Sequence, residues 1–171
     1  MGAEHQRDEA FADWLEPHLA ALRRISRAFA QPADQPDLMQ ELMLAVWSAR
    51  PRFQDRSTAA TFVYRVAHNA ALTWKRGETR RRWRRDGIEA EMALRLEQDS
   101  AEPEAGLLER LYTAIRTLPP VDRSLILLSL DGVAYAEIAR LHGLSETNVG
   151  ARLTRIRARL STLVKDDGDG V

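Results

Sequence analysis

The chain of 171 residues contains no cysteine. That excludes a disulfide framework, a thiolate metal site and a cysteine nucleophile. It lacks any long apolar run, and its first residues, M-G-A-E-H-Q-R-D-E, are polar and acidic. Neither a signal peptide nor a membrane span is expected, so the expected location is the cytoplasm. Aromatic residues make up only 6% of the chain, and no strand-like alternation is present. Turn signals fall between helical patterns throughout, so the expected class is all-α. Net charge is also missing: 25 Lys and Arg balance 25 Asp and Glu. A uniformly cationic nucleic-acid binder is excluded, and the distribution of charge matters more than its sum. No phosphate-binding glycine loop, H-E-x-x-H, G-x-S-x-G or carboxylate cluster with ligand spacing occurs. Four scattered histidines complete the case against an enzyme, and no metal or cofactor is expected.

What is present centres on Ala134–Leu163. Tyr135–His142 reads as a short helix burying Ile138, Ala139 and Leu141. Gly143 suits a left-handed position just past its end. Ser145 offers an oxygen to the open N–H groups of the next helix, and Glu146 sits at its positive end. In that helix Val149, Leu153, Ile156, Leu160 and Leu163 recur at steps of three and four, forming one apolar stripe. Thr147, Asn148, Ala151, Arg152, Arg155 and Arg159 fall on the other side. A short polar turn followed by arginines suits a major groove: small polar groups reach base edges and guanidinium groups hold phosphates or guanines. The plain alternative is a helical hairpin with a solvated basic face. Gly150 costs such a helix about 1 kcal/mol relative to Ala, and a close approach to DNA is one reason to keep it.

Upstream, Phe11, Trp14, Leu15, Leu19, Leu22, Ile25 and Phe29 form a core-facing helical stripe. Gln31–Pro36, with two prolines, is a connector. In Asp37–Ala49, Leu38, Leu42, Ala45 and Ala49 share one side, and Asp37, Gln40, Glu41 and Leu44 another. Met39, Met43, Val46 and Trp47 remain. This helix has too little polar surface to face water all round. Either it is a central core helix, or a partner covers its second side. After the loop Arg50–Thr58, capped by Ser57 or Thr58, a helix over Ala59–Arg76 is expected. It buries Phe62, Val63, Val66, Ala70 and Trp74 and exposes Arg65, His68, Asn69, Lys75 and Arg76. Aromatics beside cations and Asn could serve as a platform for single-stranded bases, or simply as core.

Lys75–Arg85 carries seven cations against one Glu, and Asp86–Glu109 carries eight carboxylates against Arg95 alone. This reversal marks a domain boundary, with a charged, flexible linker over Glu97–Gly106. A basic run holds a phosphate backbone by counterion release. The second unit starts near Leu107, with one helix ended by Pro119–Pro120 and a short apolar helix over Val121–Leu130.

Two stretches, in order, resemble one family. D-L-M-Q-E-L-M-L-A-V-W (Asp37–Trp47) with R-F-Q-D-R-S-T-A-A-T-F-V-Y-R-V-A-H-N (Arg52–Asn69) is the first. L-P-P-V-D-R-S-L-I-L-L (Leu118–Leu128), continuing through the helix–turn–helix, is the second. Both are similar to bacterial RNA polymerase sigma factors of the extracytoplasmic-function type, which contain only sigma domains 2 and 4. The resemblance implies domain 2 over residues 8–86, a linker over 87–106 and domain 4 over 107–165. It implies that Asp37, Gln40, Glu41 and Leu44 contact core RNA polymerase at the largest-subunit clamp helices, with a further contact at the flap. Phe53, Arg56, Ser57, Thr58, Tyr64, Arg65, Asn69, Lys75 and Arg76 would handle the opened minus-10 promoter element. Ser145, Thr147, Asn148, Ala151, Arg152, Arg155 and Arg159 would read the minus-35 element as duplex. An anti-sigma factor is implied as regulator. The chain departs from the family where Pro36 replaces an acidic residue, Phe62 a Trp, His68 an Arg and Gly150 a Lys; His68 would place a titratable group where a fixed cation is usual. The rival reading is a stand-alone helix–turn–helix regulator.

Overall fold

The computed structural model describes residues 10–54, 57–85 and 103–166. Among the described residues, after a short helical stretch over 10–15, the fold is carried by α1 (Leu19–Phe29), α2 (Gln35–Ala49), α3 (Ala59–Arg85), α4 (Pro103–Arg116), α5 (Pro120–Leu130), α6 (Tyr135–His142) and α7 (Glu146–Asp166). Among the described residues there is no strand. No described helix is long and apolar enough to cross a membrane.

The first apolar stripe is helical from residue 10, but not as one rod. Pro17 lacks a donor, and the chain tightens into a 3-10 turn at Glu16–His18 before α1 starts. The stripe still packs as expected, with Leu22 and Ile25 fully buried and Phe29 nearly so. α2 starts two residues earlier than its sequence pattern suggests, because Pro36 occupies its first turn, where a missing N–H costs nothing. Ser26 donates to the Gln35 carbonyl at 2.8 Å and pins this turn to α1. Leu38, Leu42 and Val46 are fully buried against α1 and α3. Thr58 caps α3, accepting from the Thr61 N–H at 3.2 Å. α3 then continues through the basic run to Arg85.

The residues expected as linker lie mostly outside the described residues. Its last four, Pro103–Gly106, instead form the first turn of α4, with proline again at the first helical position. α4 ends at Arg116, just before Pro119–Pro120, which removes two N–H donors. Arg123 supplies replacements. Its Nε donates to the Leu118 carbonyl at 2.8 Å and its Nη2 to the Arg116 carbonyl.

The two helical units do not stand apart. Their buried side chains form one continuous cluster, in which α1 packs on α4 and α5, and α3 packs on α5. The seam is rich in arginine. Arg123 reaches the Ala28 carbonyl at 3.4 Å and lies over the Phe29 ring at 5.8 Å. Arg116 donates to the Arg27 carbonyl at 3.1 Å, and Glu109 accepts from both Arg116 and Arg27. Arg27 covers the Tyr112 ring at 4.5 Å, and Arg24 pairs with Asp131. The carbonyls at the end of α1 therefore accept from Arg116 of α4 and Arg123 of α5, which joins the two units.

Candidate nucleic-acid interface

The helix–turn–helix forms as its residues dictate. Gly143 takes φ +65°, and the Leu144 N–H returns to the Ala139 carbonyl at 2.9 Å. Ser145 accepts from the Asn148 N–H at 3.2 Å and caps α7. Val149 and Leu153 are fully buried, and Ile156 and Leu160 nearly so. Arg157 ties α7 to its neighbours, donating to Ser129 at 2.7 Å and to the Tyr135 hydroxyl at 3.3 Å.

Ser145, Thr147, Asn148, Ala151, Arg155 and Arg159 all face solvent on one side of α7. Arg152 departs from the expected pattern. It is half-buried, with Nη1 3.6 Å from Asp122 of α5. Together Leu118, Asp122, Arg152, Arg155, Ile156 and Arg159 line a shallow pocket of about 240 Å³. Three guanidinium groups against one carboxylate make it attractive to an anion such as a backbone phosphate. A Cβ on Gly150 would meet only the Tyr135 ring, at 3.7 Å. Tyr135 thus covers the position, and packing does not require glycine there.

On the first unit, Arg65, Asn69 and Arg76 are exposed and recur at helical spacing, so they share one face of α3. Arg65 lies over the Phe62 ring at 5.7 Å. Lys75 is half-buried. Thr58 is exposed and Ser57 half-buried, while Arg56 lies outside the described residues. Phe53 is not an open platform. It packs on Phe62 at 5.1 Å and Trp14 at 6.0 Å, under Arg50.

Two residues of α3 point elsewhere than the sequence suggests. Tyr64 faces the seam, where burial and the nearby Asp131 carboxylate push its hydroxyl pKa up. His68 was expected on the surface but is only 3% exposed. Its Nδ1 lies 2.7 Å from the Ser124 hydroxyl of α5, which is also 2.9 Å from Nε2 of His142 on α6. Burial, with a smaller contribution from His142, pushes the His68 pKa down to about 3. The expected titration near neutral pH is therefore absent in this arrangement. The reason is long-range: α5, which covers this side of α3, lies some fifty residues downstream and leaves no local signal on α3. Ser124 and Arg123 went unremarked in the sequence for the same reason, although a polar Arg-Ser pair before four apolar residues hints at buried polar contacts.

α2 presents the third surface. Asp37, Gln40, Glu41 and Leu44 are all exposed, and Leu44 retains 59% of its accessible area. Beside them Phe11, Met43 and Trp47 line an open groove, with Phe11 set edge-on to Trp47 at 4.6 Å. The helix is thus covered by its own unit on one side and open on the other.

Comparison with known proteins agrees with this arrangement. The description "Sigma-70 region 2" matches residues 14–82, and "Sigma-70, region 4" matches residues 108–160. RNA polymerase sigma factor NccH of Alcaligenes xylosoxydans xylosoxydans is 26% identical over 162 residues, spanning 91% of this chain and 87% of that protein. ECF RNA polymerase sigma-E factor of Escherichia coli is 28% identical over 148 residues, spanning 80% and 77%. ECF RNA polymerase sigma factor SigG of Mycobacterium tuberculosis is 31% identical over 128 residues, which is 71% of this chain but 32% of that longer protein. Among solved structures, the sigma factor RpoE of Bartonella quintana, in complex with the anti-sigma factor NepR, superposes with a TM-score of 0.73 at 23% identity. That match covers 92% of this chain and 98% of the other. CnrH in complex with the cytosolic domain of CnrY gives 0.65, covering 94% and 90%. These structures share the fold. With both sigma-70 regions matched in order along one helical chain, the protein belongs to the sigma-70 family of RNA polymerase sigma factors, in its extracytoplasmic-function branch.

Proposed function

We propose that this chain is a promoter-specificity subunit that uses three surfaces in turn. The open face of α2, with Asp37, Gln40, Glu41 and Leu44, docks on the clamp helices of the polymerase largest subunit. The second unit adds a contact at the flap. The exposed Arg65, Asn69 and Arg76 of α3, with the loop at Phe53–Thr58 and Lys75, hold the opened strand of the minus-10 element. There an unstacked base can lie on the guanidinium plane of Arg65 or Arg76. The capped start of α7 enters the major groove of the minus-35 element, with Arg152, Arg155 and Arg159 on its backbone. The chain supplies no catalytic group, and RNA synthesis belongs to the polymerase. It acts in the cytoplasm, and an anti-sigma factor holds it in check.

The observation that carries this reading is the pairing, on one small chain, of an exposed acidic and leucine-bearing helix face with an exposed, capped basic helix. The domain division proposed is 8–86 and 107–165, joined by 87–106.

The packed arrangement bears on how the surfaces are used. A compact chain of this length is about 40 Å across. The centres of a minus-10 and a minus-35 element are about 85 Å apart along duplex at 3.4 Å per base pair. The closed molecule therefore engages one element at a time, and its units separate when the polymerase takes them up. The test is run-off transcription with purified core polymerase on a genomic promoter library. Transcripts that appear only with this protein support the reading, and their absence refutes it. Glu41→Lys should abolish polymerase pull-down while leaving far-UV circular dichroism unchanged.

A further inference from the structure

We propose that the Ser124 hydroxyl, bridging the His68 and His142 rings across the seam between the two units, is a proton-sensitive latch that holds the units together while both rings are neutral. The geometry is specific. A hydroxyl that donates to one ring nitrogen and accepts from the other is satisfied only if one nitrogen carries hydrogen and the other a lone pair. The distances of 2.7 and 2.9 Å fit that arrangement. If both rings are protonated, the hydroxyl faces two N–H donors and its own hydrogen loses its acceptor. In the tautomer whose Nδ1 donates to Ser124, protonating His68 also places an N–H on Nε2, a buried atom with no partner among the described residues.

Among the described residues, no carboxylate lies against either ring to offset the charge. From α1, Phe29 presents its ring to His68 at 6.4 Å, and Arg123 of α5 lies over that ring. From α7, Arg152 acts on His142, and burial together with Arg152 depresses the His142 pKa. Asp122 of α5, the nearest carboxylate to Arg152, is 3.6 Å from it. Arg24 of α1 and Asp131 neutralise one another beside Tyr64, one turn before His68. The groups around the two rings are thus apolar, cationic or already paired.

The sign follows from linkage. The His68 pKa is about 3 when closed and returns to the ordinary 6.5 once the seam opens to water. The closed form is therefore favoured above pH 6.5 and loses ground as pH falls from there toward 3. From His68 alone, the closed-to-open ratio drops about tenfold between pH 7.5 and pH 5.5. His142 adds to this in the same direction. Opening also frees Tyr64 and His68 on α3, beside the face proposed for the minus-10 strand.

The absence of cysteine makes the experiment simple. Ser48→Cys on α2 and Ser161→Cys on α7 place spin labels on exposed positions of the two units of the full chain. Pulsed dipolar spectroscopy then reads their separation from pH 8 to pH 5.5, with circular dichroism recorded in parallel. The expected result is a single short distance at pH 8 and a growing longer population toward pH 5.5 at constant helicity. In His68→Phe/His142→Gln, which also loses the cross-seam bond, the proportion of long distances should be the same across the pH range. Ser124→Ala, which keeps both rings but removes the bridge, should enlarge the long population already at pH 8. A wild-type distance that ignores pH, a pH response equal in the double variant, or lengthening that tracks loss of helicity would overturn the latch. Because the free chain is measured without polymerase or DNA, such a failure leaves the promoter-specificity reading intact.

Discussion

Arg123→Leu should cost the protein about 3–5 kcal/mol. Arg123 is only 6% exposed, and its guanidinium sits where Pro119–Pro120 deprives the end of α4 of two N–H donors. It donates to the Leu118 carbonyl at 2.8 Å, to the Arg116 carbonyl and, across the seam, to the Ala28 carbonyl at 3.4 Å. Leucine fills most of the volume and donates nothing. The Leu118 and Arg116 carbonyls, which hold the closest of the three bonds, then lose this donor, at about 1–3 kcal/mol each. The stacking over Phe29 is lost as well, worth about 1 kcal/mol. Relief from burying a charge offsets part of this, which leaves the figure above. Urea unfolding followed by circular dichroism is the assay. With a slope of about 2 kcal/mol per molar urea, the midpoint should fall by about 2 M. Arg123→Lys should recover little, because a single ammonium cannot fork between two carbonyls. If Arg123→Leu shifts the midpoint by less than about 0.5 M, these hydrogen bonds do not hold the end of α4 and the seam as argued.

Two smaller perturbations test the reading of α7. Ser145→Ala removes the oxygen that accepts from the Asn148 N–H and should destabilise the chain by about 1 kcal/mol, read as a lowered melting temperature. Gly150→Ala should do the opposite: a Cβ there meets only the Tyr135 ring at an ordinary 3.7 Å, so the helix gains up to about 1 kcal/mol. A drop in melting temperature for Gly150→Ala would mean that the Tyr135 ring cannot accommodate the methyl group.

Local order was legible in the chain because its causes lie within four residues. Gly143 ends α6 in the left-handed region, Ser145 caps α7, Thr58 caps α3, and the apolar steps of α7 choose its buried side. The solvent-facing side of α7, Arg152 apart, followed from the same periodicity, whereas for α2 the sequence left a core helix and a second open side as alternatives. What the residues could not specify locally is which helices meet from opposite ends of the sequence. A helix face such as Tyr64–His68 looks polar enough for water, and only the arrival of α5 with Ser124 turns it inward. Arg123 reads as a surface cation until the carbonyls of Arg116, Leu118 and Ala28 converge on it. Helix, cap and stripe are short-range physics, written residue by residue. The seam depends on hydrogen bonds and burial between groups 56 to 95 positions apart, and only tertiary packing decides those.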